Sequence, residues 1–193
     1  MASGHADKKF WPQSRGFDYF YGNTVGEVGY FTHKRAGIID WQRNGAFIDE
    51  KGYVLTLDGD EAVKLIDKQP KDKPFFLYFA SLAPHAPYQA QKADEDRYAT
   101  TIKDPTRRTY AATITSLDDQ VGRIVTGPRN AVVASGAHSK EERTESGVKE
   151  GSLPANNGNL RGGKGSLYEG GVRVPTIFNW PAKFKPRVTN RST

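Results

Sequence analysis

The amino-acid sequence predicts an α/β fold, and three observations carry this prediction. One apolar run of strand length covers residues 75–82, an amphipathic helical pattern covers residues 104–124, and a second apolar run covers residues 172–180. A run that is apolar on both faces is typical of a central parallel strand, which helices cover on either side. With 193 residues, of which 36% are hydrophobic and 11% aromatic, the chain is long enough for one domain with a substantial core.

Aromatic residues crowd the first thirty positions without a helical or strand period. We expect an irregular segment that packs on a core through Phe10, Trp11, Phe17, Tyr19 and Phe20. An aromatic and arginine-bearing surface for nucleic acid or sugar is the alternative. Residues 41–43 and 52–55 then predict short strands, with a turn at Asn44-Gly45.

A helix is predicted to open at Asp58 and to end near Pro70. Asp58 suits the N-cap position because Glu61 follows it three residues later. The apolar face of this helix is formed by Ala62, Leu65 and Ile66.

The apolar run at 75–82 stops at the string Ala83-Pro84-His85-Ala86-Pro87. Open α/β sheets bind their ligands at the carboxyl ends of buried parallel strands. His85 is therefore the best-placed imidazole of the chain for a functional role, although a loop histidine can also have no role at all.

The next helix is predicted to begin at Asp104-Pro105, because proline suits the first helical position. Its apolar stripe comprises Tyr110, Ile114, Leu117, Val121 and Ile124. Asp118-Asp119 could suggest a metal site, but a solvated helix face is the better interpretation. A brief strand at 131–134, a charged surface loop at 140–150 and a core strand at 172–180 are predicted to follow.

Residues 156–175 form a glycine-rich, basic stretch. Six of its twenty residues are glycine, and Arg161, Lys164 and Arg173 stand against the single acid Glu169. Glycine lets the backbone approach a ligand closely, so Lys164 and nearby N–H groups could contact an oxyanion. A solvated basic loop ahead of a strand is the alternative that composition alone leaves open.

The net charge of +6 and the isoelectric point near 9.4 favour anionic partners such as sulfated or phosphorylated groups. The positive charges are scattered, so we do not expect a nucleic acid as partner. The absence of cysteine excludes disulfides and thiolate metal sites and leaves the redox compartment open. Neither a signal peptide nor a membrane span is expected from the sequence, and the localisation stays open.

Five strings, in this order along the chain, resemble the sulfatase family of the formylglycine-dependent arylsulfatase and N-acetylgalactosamine-6-sulfatase type. The strings are Arg15-Gly16-Phe17-Asp18-Tyr19-Phe20-Tyr21-Gly22, Lys73-Pro74-Phe75-Phe76-Leu77-Tyr78, Pro84-His85-Ala86-Pro87, Ser116-Leu117-Asp118-Asp119-Gln120-Val121-Gly122-Arg123, and Leu160-Arg161-Gly162-Gly163-Lys164-Gly165 through Glu169-Gly170-Gly171-Val172-Arg173-Val174-Pro175. The ordered set is far more specific than any one string.

The resemblance implies an alkaline-phosphatase-like α/β/α sandwich that hydrolyses sulfate esters. In the family a formylglycine, made from cysteine or serine, is the nucleophile, and a divalent cation, usually Ca²⁺, assists it. By resemblance, His85 lies close to the sulfate and the leaving oxygen, and Lys164 places a positive charge on the sulfate. Arg161 and Arg173 are the further candidates for binding the substrate.

Other family features are missing from this sequence. Trp11-Pro12-Gln13-Ser14-Arg15 has Phe10 where the Cys/Ser-x-Pro-Ser-Arg motif has its nucleophile. The metal-binding aspartate pair and the string Gly-Lys-Trp-His-Leu-Gly before His5 are also absent. The string from Ala134 to Ser139 resembles the family's Ser-Asp-Asn-Gly with Asp-Asn deleted, so we expect no cofactor in this chain.

We therefore expect residues 5–181 to form a partial sulfatase catalytic domain and residues 182–193 to form a frayed tail. The sandwich should be incomplete, with apolar surface exposed where N-terminal strands would pack. The chain alone should be inactive or nearly so, and its partners should be a sulfated small molecule or glycan and, in addition, a missing N-terminal half. A pseudoenzyme that binds sulfated or other anionic glycans is the competing hypothesis.

Overall fold

The structure, a computed structural model, describes residues 7–126, 133–136, 155, 157–164, 166–173, 176–179 and 183, with the backbone alone at 133–136 and 176–179. Two short 3-10 helices, Lys8–Phe10 and Pro12–Arg15, precede the other elements. In chain order these elements are β1 (Tyr21–Gly22), β2 (Lys34–Arg35), β3 (Ile38–Ile39), β4 (Gln42–Arg43), β5 (Ala46–Phe47), α1 (Val54–Asp67), α2 (Lys92–Asp96), α3 (Pro105–Val125), β6 (Val133–Gly136), α4 (Glu169–Val172) and β7 (Thr176–Asn179).

The strands that are described pair into three small antiparallel sheets. The first sheet has the order β1-β4-β5, the second joins β2 to β3, and the third joins β6 to β7. In the third sheet Val133 lies opposite Asn179 and Gly136 opposite Thr176. The predicted strands at 131–134 and 172–180 therefore exist with shifted bounds, and they pair with each other.

The core lies between the N-terminal hairpins and the first turns of α1. Its largest fully buried apolar side chains include Trp41, Tyr30 and Leu55. Of the five aromatic residues predicted to pack on a core, Trp11 is buried and Phe17, Tyr19 and Phe20 are half-buried. Phe10 is exposed, so the prediction was wrong for this residue.

The predicted Asn44-Gly45 turn is confirmed. These two residues connect β4 to β5 with φ angles of 51° and 86°. Positive φ at both central positions is the conformation that a two-residue hairpin needs, and Asn-Gly adopts it readily.

Helix α1 begins four residues before the predicted start. It runs from Val54 to Asp67, and Tyr53 precedes it without a side-chain cap. The predicted strand at 52–55 is therefore wrong, and Asp58 lies within the helix instead of capping it. Val54 and Leu55 are fully buried, so tertiary packing of these two side chains stabilises an uncapped first turn. The predicted end near Pro70 agrees with the observed end.

Residues 75–80 do not form the buried central strand that the sequence predicts. No strand is assigned to this segment, which lies in a fully described part of the chain. Phe76 is 77% exposed and Tyr78 is 67% exposed. Burial resumes at Leu82 and Ala83, which belong to the core. Strand residues become buried only when other strands and helices cover them. Here Leu77 and Phe79 are half-buried, and Phe76 keeps a ring contact with Phe17, 6.0 Å between centroids.

Helix α3 begins where the sequence predicts. Asp104 accepts a hydrogen bond of 2.6 Å from the backbone N–H of Arg107, and Pro105 takes the first helical position. The fully buried face of α3, however, consists of Ala112, Thr113, Ser116 and Gln120. The apolar stripe is only half-buried, and Ile114 is exposed. Helix α1 approaches this face closely at Gly59, where a Cβ atom would overlap Oε1 of Gln120.

The charged loop predicted at 140–150 lies outside the described residues, as does the tail at 182–193 except for Lys183. The predicted domain bounds stay predictions.

Candidate functional site

The turn at residues 82–87 places His85 at the edge of the core. The backbone N–H of His85 donates a 3.0 Å hydrogen bond to the carbonyl oxygen of Leu82. Its carbonyl oxygen accepts a 2.8 Å hydrogen bond from the hydroxyl of Tyr30, which is completely buried. The backbone of the candidate residue is therefore fixed from the core side.

The imidazole of His85 keeps 21% of its side-chain surface exposed. Its Nδ1 atom lies 2.8 Å from the carbonyl oxygen of Ala86 and 3.6 Å from the carboxylate of Glu27. His33 provides a contrast, because it is buried against the Trp41 ring and burial lowers its pKa. A neutral, buried His33 belongs to the core, whereas His85 remains accessible to a ligand.

A single asparagine side chain holds the glycine-rich segment together. The Nδ2 group of Asn157 donates to the carbonyl oxygens of Gly162 and Gly170, at 2.8 and 2.9 Å. The N–H of Gly170 in turn donates a 2.8 Å hydrogen bond to the carbonyl oxygen of Arg161. These bonds bring the two ends of the segment side by side.

Two glycines are required by this close approach of backbone to backbone. A Cβ at Gly170 would overlap the carbonyl oxygens of Gly162 and Arg161, and one at Gly171 would overlap that of Ser166. The predicted close approach of backbone to an oxyanion concerns the glycines around Lys164, and it stays a prediction. The structure shows that Gly170 and Gly171 serve the packing of the segment on itself.

The three predicted substrate-binding cations lie on this one segment. The guanidinium of Arg161 stacks on the Tyr168 ring, 3.7 Å from its centroid. Arg173 forms an ion pair of 3.8 Å with Glu169, one helical turn earlier. Lys164 is half-buried beside the buried Gly163. Arg161 and Arg173 thus each have a partner within the segment, and the roles of these three cations and of His85 stay predictions.

The metal interpretation of Asp118-Asp119 finds no support. Both residues are exposed on α3, and Asp119 pairs with Arg97 at 3.4 Å. Among the residues that the structure describes, no group of three or more histidine and acidic side chains could hold a metal ion. The described part of the chain thus does not fit the divalent cation that the resemblance implies.

Comparison with protein families identifies the family of this chain. The family model described as Sulfatase matches residues 2–193.

The chain belongs to the sulfatase family. Among similar proteins, the uncharacterized sulfatase YdeN of Escherichia coli (strain K12) is 29% identical over 180 residues, which cover 93% of this chain and 31% of YdeN. The N-acetylgalactosamine-6-sulfatase of Sus scrofa is 30% identical over 194 residues, which cover 92% of this chain and 35% of that enzyme. This sulfatase chain therefore spans about a third of the length of the curated relatives it matches.

A solved structure resembles the chain over most of its length. It is the crystal structure of Ps i-CgsB in complex with k-i-k-neocarrahexaose, with a TM-score of 0.77 and 32% sequence identity. The match covers 91% of this chain and 42% of the solved one. The likeness confirms the predicted fold class, an alkaline-phosphatase-like α/β fold that is present in part.

Sequence reasoning missed Glu27 and Tyr30, the two side chains that contact His85 from the N-terminal region. They precede His85 by 58 and 55 positions, and no periodicity or motif spacing points to them.

In the described ranges no helix has both the length and the apolar character needed to cross a bilayer.

Proposed function

We propose that this chain supplies the sulfate and leaving-group contacts of a sulfuric ester hydrolase, with His85 and Lys164 as the acting residues. The observation that carries the proposal is the turn at 82–87, which fixes the backbone of His85 on the core and leaves its ring accessible. Family membership supplies the reaction class. Sulfated glycans are the proposed substrate class, because one relative is named for a 6-sulfated amino sugar and a solved relative holds an oligosaccharide.

Each residue would supply one part of sulfate-ester hydrolysis. The reaction breaks the bond between sulfur and the leaving oxygen, and that oxygen takes up a proton. The Nε2–H of protonated His85 would donate this proton. Lys164, with Arg161 and Arg173, would offset the negative charge of the sulfate group, and charge stabilisation of this kind is usually the largest catalytic contribution.

The sequence lacks the family's nucleophile motif, and the described residues do not fit the family's cation. The sequence contains no cysteine, and Phe10 stands where the motif has its nucleophile. The described residues contain no suitable metal-binding group. We therefore propose that the chain alone is inactive or nearly so, and that a further polypeptide segment would have to supply the nucleophile and the metal ligands.

A sulfatase assay tests this proposal. Purified protein should release no 4-nitrophenol from 4-nitrophenyl sulfate above the buffer rate, with or without added calcium chloride. His85→Ala is the diagnostic variant, and Lys92→Ala, which changes an exposed residue of α2, is its control. Turnover that His85→Ala abolishes and Lys92→Ala preserves would refute the proposed inactivity.

Binding of anionic glycans without turnover is the second candidate function. The observation that favours it is the exposure of Arg161 and Arg173 on the glycine-rich segment, together with the net charge of +6. Heparin chromatography should show retention that falls in Lys164→Ala and is preserved in Lys92→Ala. Equal losses in the two variants would indicate only generic charge, which salt screens.

A further inference from the structure

The carboxylate of Glu27 lies between two positively charged or chargeable groups. Its Oε2 atom is 3.6 Å from Nδ1 of His85, and its Oε1 atom is 3.6 Å from Nε of Arg35. Glu27 is half-buried in the segment between β1 and β2. The N-terminal hairpins therefore place an acid against the imidazole that the proposed function uses.

Two acceptors face the same ring nitrogen of His85. The carbonyl oxygen of Ala86 lies 2.8 Å from Nδ1, and the Glu27 carboxylate lies at 3.6 Å from the same atom. A carbonyl and a carboxylate can only accept, so this arrangement is favourable when Nδ1 carries the hydrogen. The neutral ring then presents its lone pair at Nε2, and the protonated ring presents an Nε2–H there.

We propose that Glu27 is a positioning residue that holds the His85 ring in the Nδ1–H tautomer and directs Nε2 toward the ligand. A carboxylate next to an acting histidine fixes its tautomer and orientation in other sites, and it stabilises the imidazolium form. Ala86 contributes the shorter contact, but its carbonyl belongs to the same turn as the ring. Glu27 lies beyond hydrogen-bond distance, but its negative charge comes from a separate element and favours a hydrogen on the Nδ1 atom that faces it.

That Nε2 meets a sulfate ester rests on the proposed function, whereas the tautomer and the ring orientation can be measured without it. The readout is the long-range ¹H–¹⁵N spectrum of the full chain at about pH 8.5, where an ordinary histidine is neutral. The chain has four histidines, and a His85→Gln spectrum identifies the His85 signals. The wild-type pattern is expected to be that of a protonated Nδ1.

Glu27→Ala should lose this pattern and give the averaged nitrogen shifts of a ring that exchanges between tautomers. Glu27→Gln should lose most of it as well, because at 3.6 Å the contact acts through charge and an amide carries none. Asp49→Ala is the control, since it removes an equal charge from an exposed loop residue whose ion pair is with Lys51. An unchanged wild-type pattern in Glu27→Ala would overturn the positioning role.

Addition of sodium sulfate or 4-nitrophenyl sulfate separates the positioning role of Glu27 from the contact of His85 with a sulfate group. Nε2 shifts that respond to the anion in wild type and diminish in Glu27→Ala support both of them. If Glu27→Ala alters the tautomer but neither anion moves any His85 signal, the positioning role stands and the sulfate contact is refuted.

Discussion

The hydroxyl of Tyr19 donates a hydrogen bond of 2.6 Å to the carboxylate of Glu61, 42 residues later in the chain. Arg43 forms an ion pair of 2.7 Å with the same carboxylate, and Lys64 approaches it at 3.3 Å. One side chain of α1 thus joins the aromatic N-terminal segment to the hairpin strand β4. The Glu61 side chain is only 10% exposed, so its carboxylate is largely shielded from water, whereas the Lys64 side chain is 51% exposed.

Replacing Tyr19 by phenylalanine should lower the free energy of unfolding by about 1–3 kcal/mol, because a hydrogen bond to a charged group is lost.

Burial opposes the ionisation of Glu61, but hydrogen bonds from Tyr19 and Arg43 outweigh it and lower the pKa of Glu61. This stabilisation is present above the unfolded-state pKa, near 4.5, and is lost as the pH falls through the folded-state value. Urea titrations of wild type and Glu61→Gln should converge in acid, and a constant difference down to pH ~2 would contradict this.

Asp58 should give the opposite pH dependence. It lies within α1 beside Gly22 and Trp41, and although the residue as a whole is only half-buried, burial of its carboxyl raises its pKa to about 8. The folded state then holds a proton that the unfolded state releases, so stability falls by up to ~1.4 kcal/mol per pH unit from about pH 4 to pH 8.

The variant Asp58→Asn should remove that slope and should be more stable than wild type at pH ~8. Thermal unfolding monitored by circular dichroism at several pH values measures this dependence of stability on pH. Asp67→Asn, at the exposed C-terminal end of the same helix, is the control and should keep the wild-type slope. A slope that survives in Asp58→Asn would assign the pH dependence to another group.

Removal of the cap of α3 should destabilise the domain. Asp104 accepts the N–H of Arg107 at 2.6 Å, and the loss of such a cap costs about 1 kcal/mol. Asp104→Ala should therefore lower the urea midpoint, whereas Asp104→Ser should restore most of it because serine also caps helices. Equal midpoints for Asp104→Ala and wild type would show that the cap does not contribute.

The variant Gly170→Ala should open the glycine-rich segment, because the new methyl group would overlap the carbonyl oxygens of Gly162 and Arg161. Hydrogen exchange should accelerate at residues 157–173, with little change in α1 and α3. Gly122→Ala is the matched control, since nothing lies within 4 Å of its Cβ position. It should stabilise α3 by about 0.5–1 kcal/mol. Unchanged exchange in Gly170→Ala would contradict the tight packing.

The exposed side chains of Phe76 and Tyr78, in the segment 75–80, should promote self-association, as exposed apolar patches do. The double variant Phe76→Ser and Tyr78→Ser should bind less anilinonaphthalene sulfonate and should sediment more uniformly than wild type. Ile38→Ser removes an apolar side chain that is 74% exposed on the β2–β3 hairpin, and it should have a smaller effect. Equal effects of the two changes would show that Phe76 and Tyr78 promote self-association no more than another exposed apolar side chain does.

The sequence by itself determined the features that depend on neighbouring residues. The turn at Asn44-Gly45 and the start of α3 at Asp104 were predicted correctly, because backbone conformation and capping involve only a few adjacent positions. The ordered strings around His85 and Lys164 also sufficed for the family, which the match over residues 2–193 confirms.

The tertiary structure alone decided which of these residues meet. The early start of α1 depends on burial of Val54 and Leu55, and the contact of Glu27 with His85 joins residues 58 positions apart. Phe76 and Tyr78 are likewise exposed although the composition of their segment predicts a buried strand, because burial depends on which elements pack against it. Burial and long-range contacts are properties of the whole packing arrangement, so neither local propensity nor motif spacing determines them.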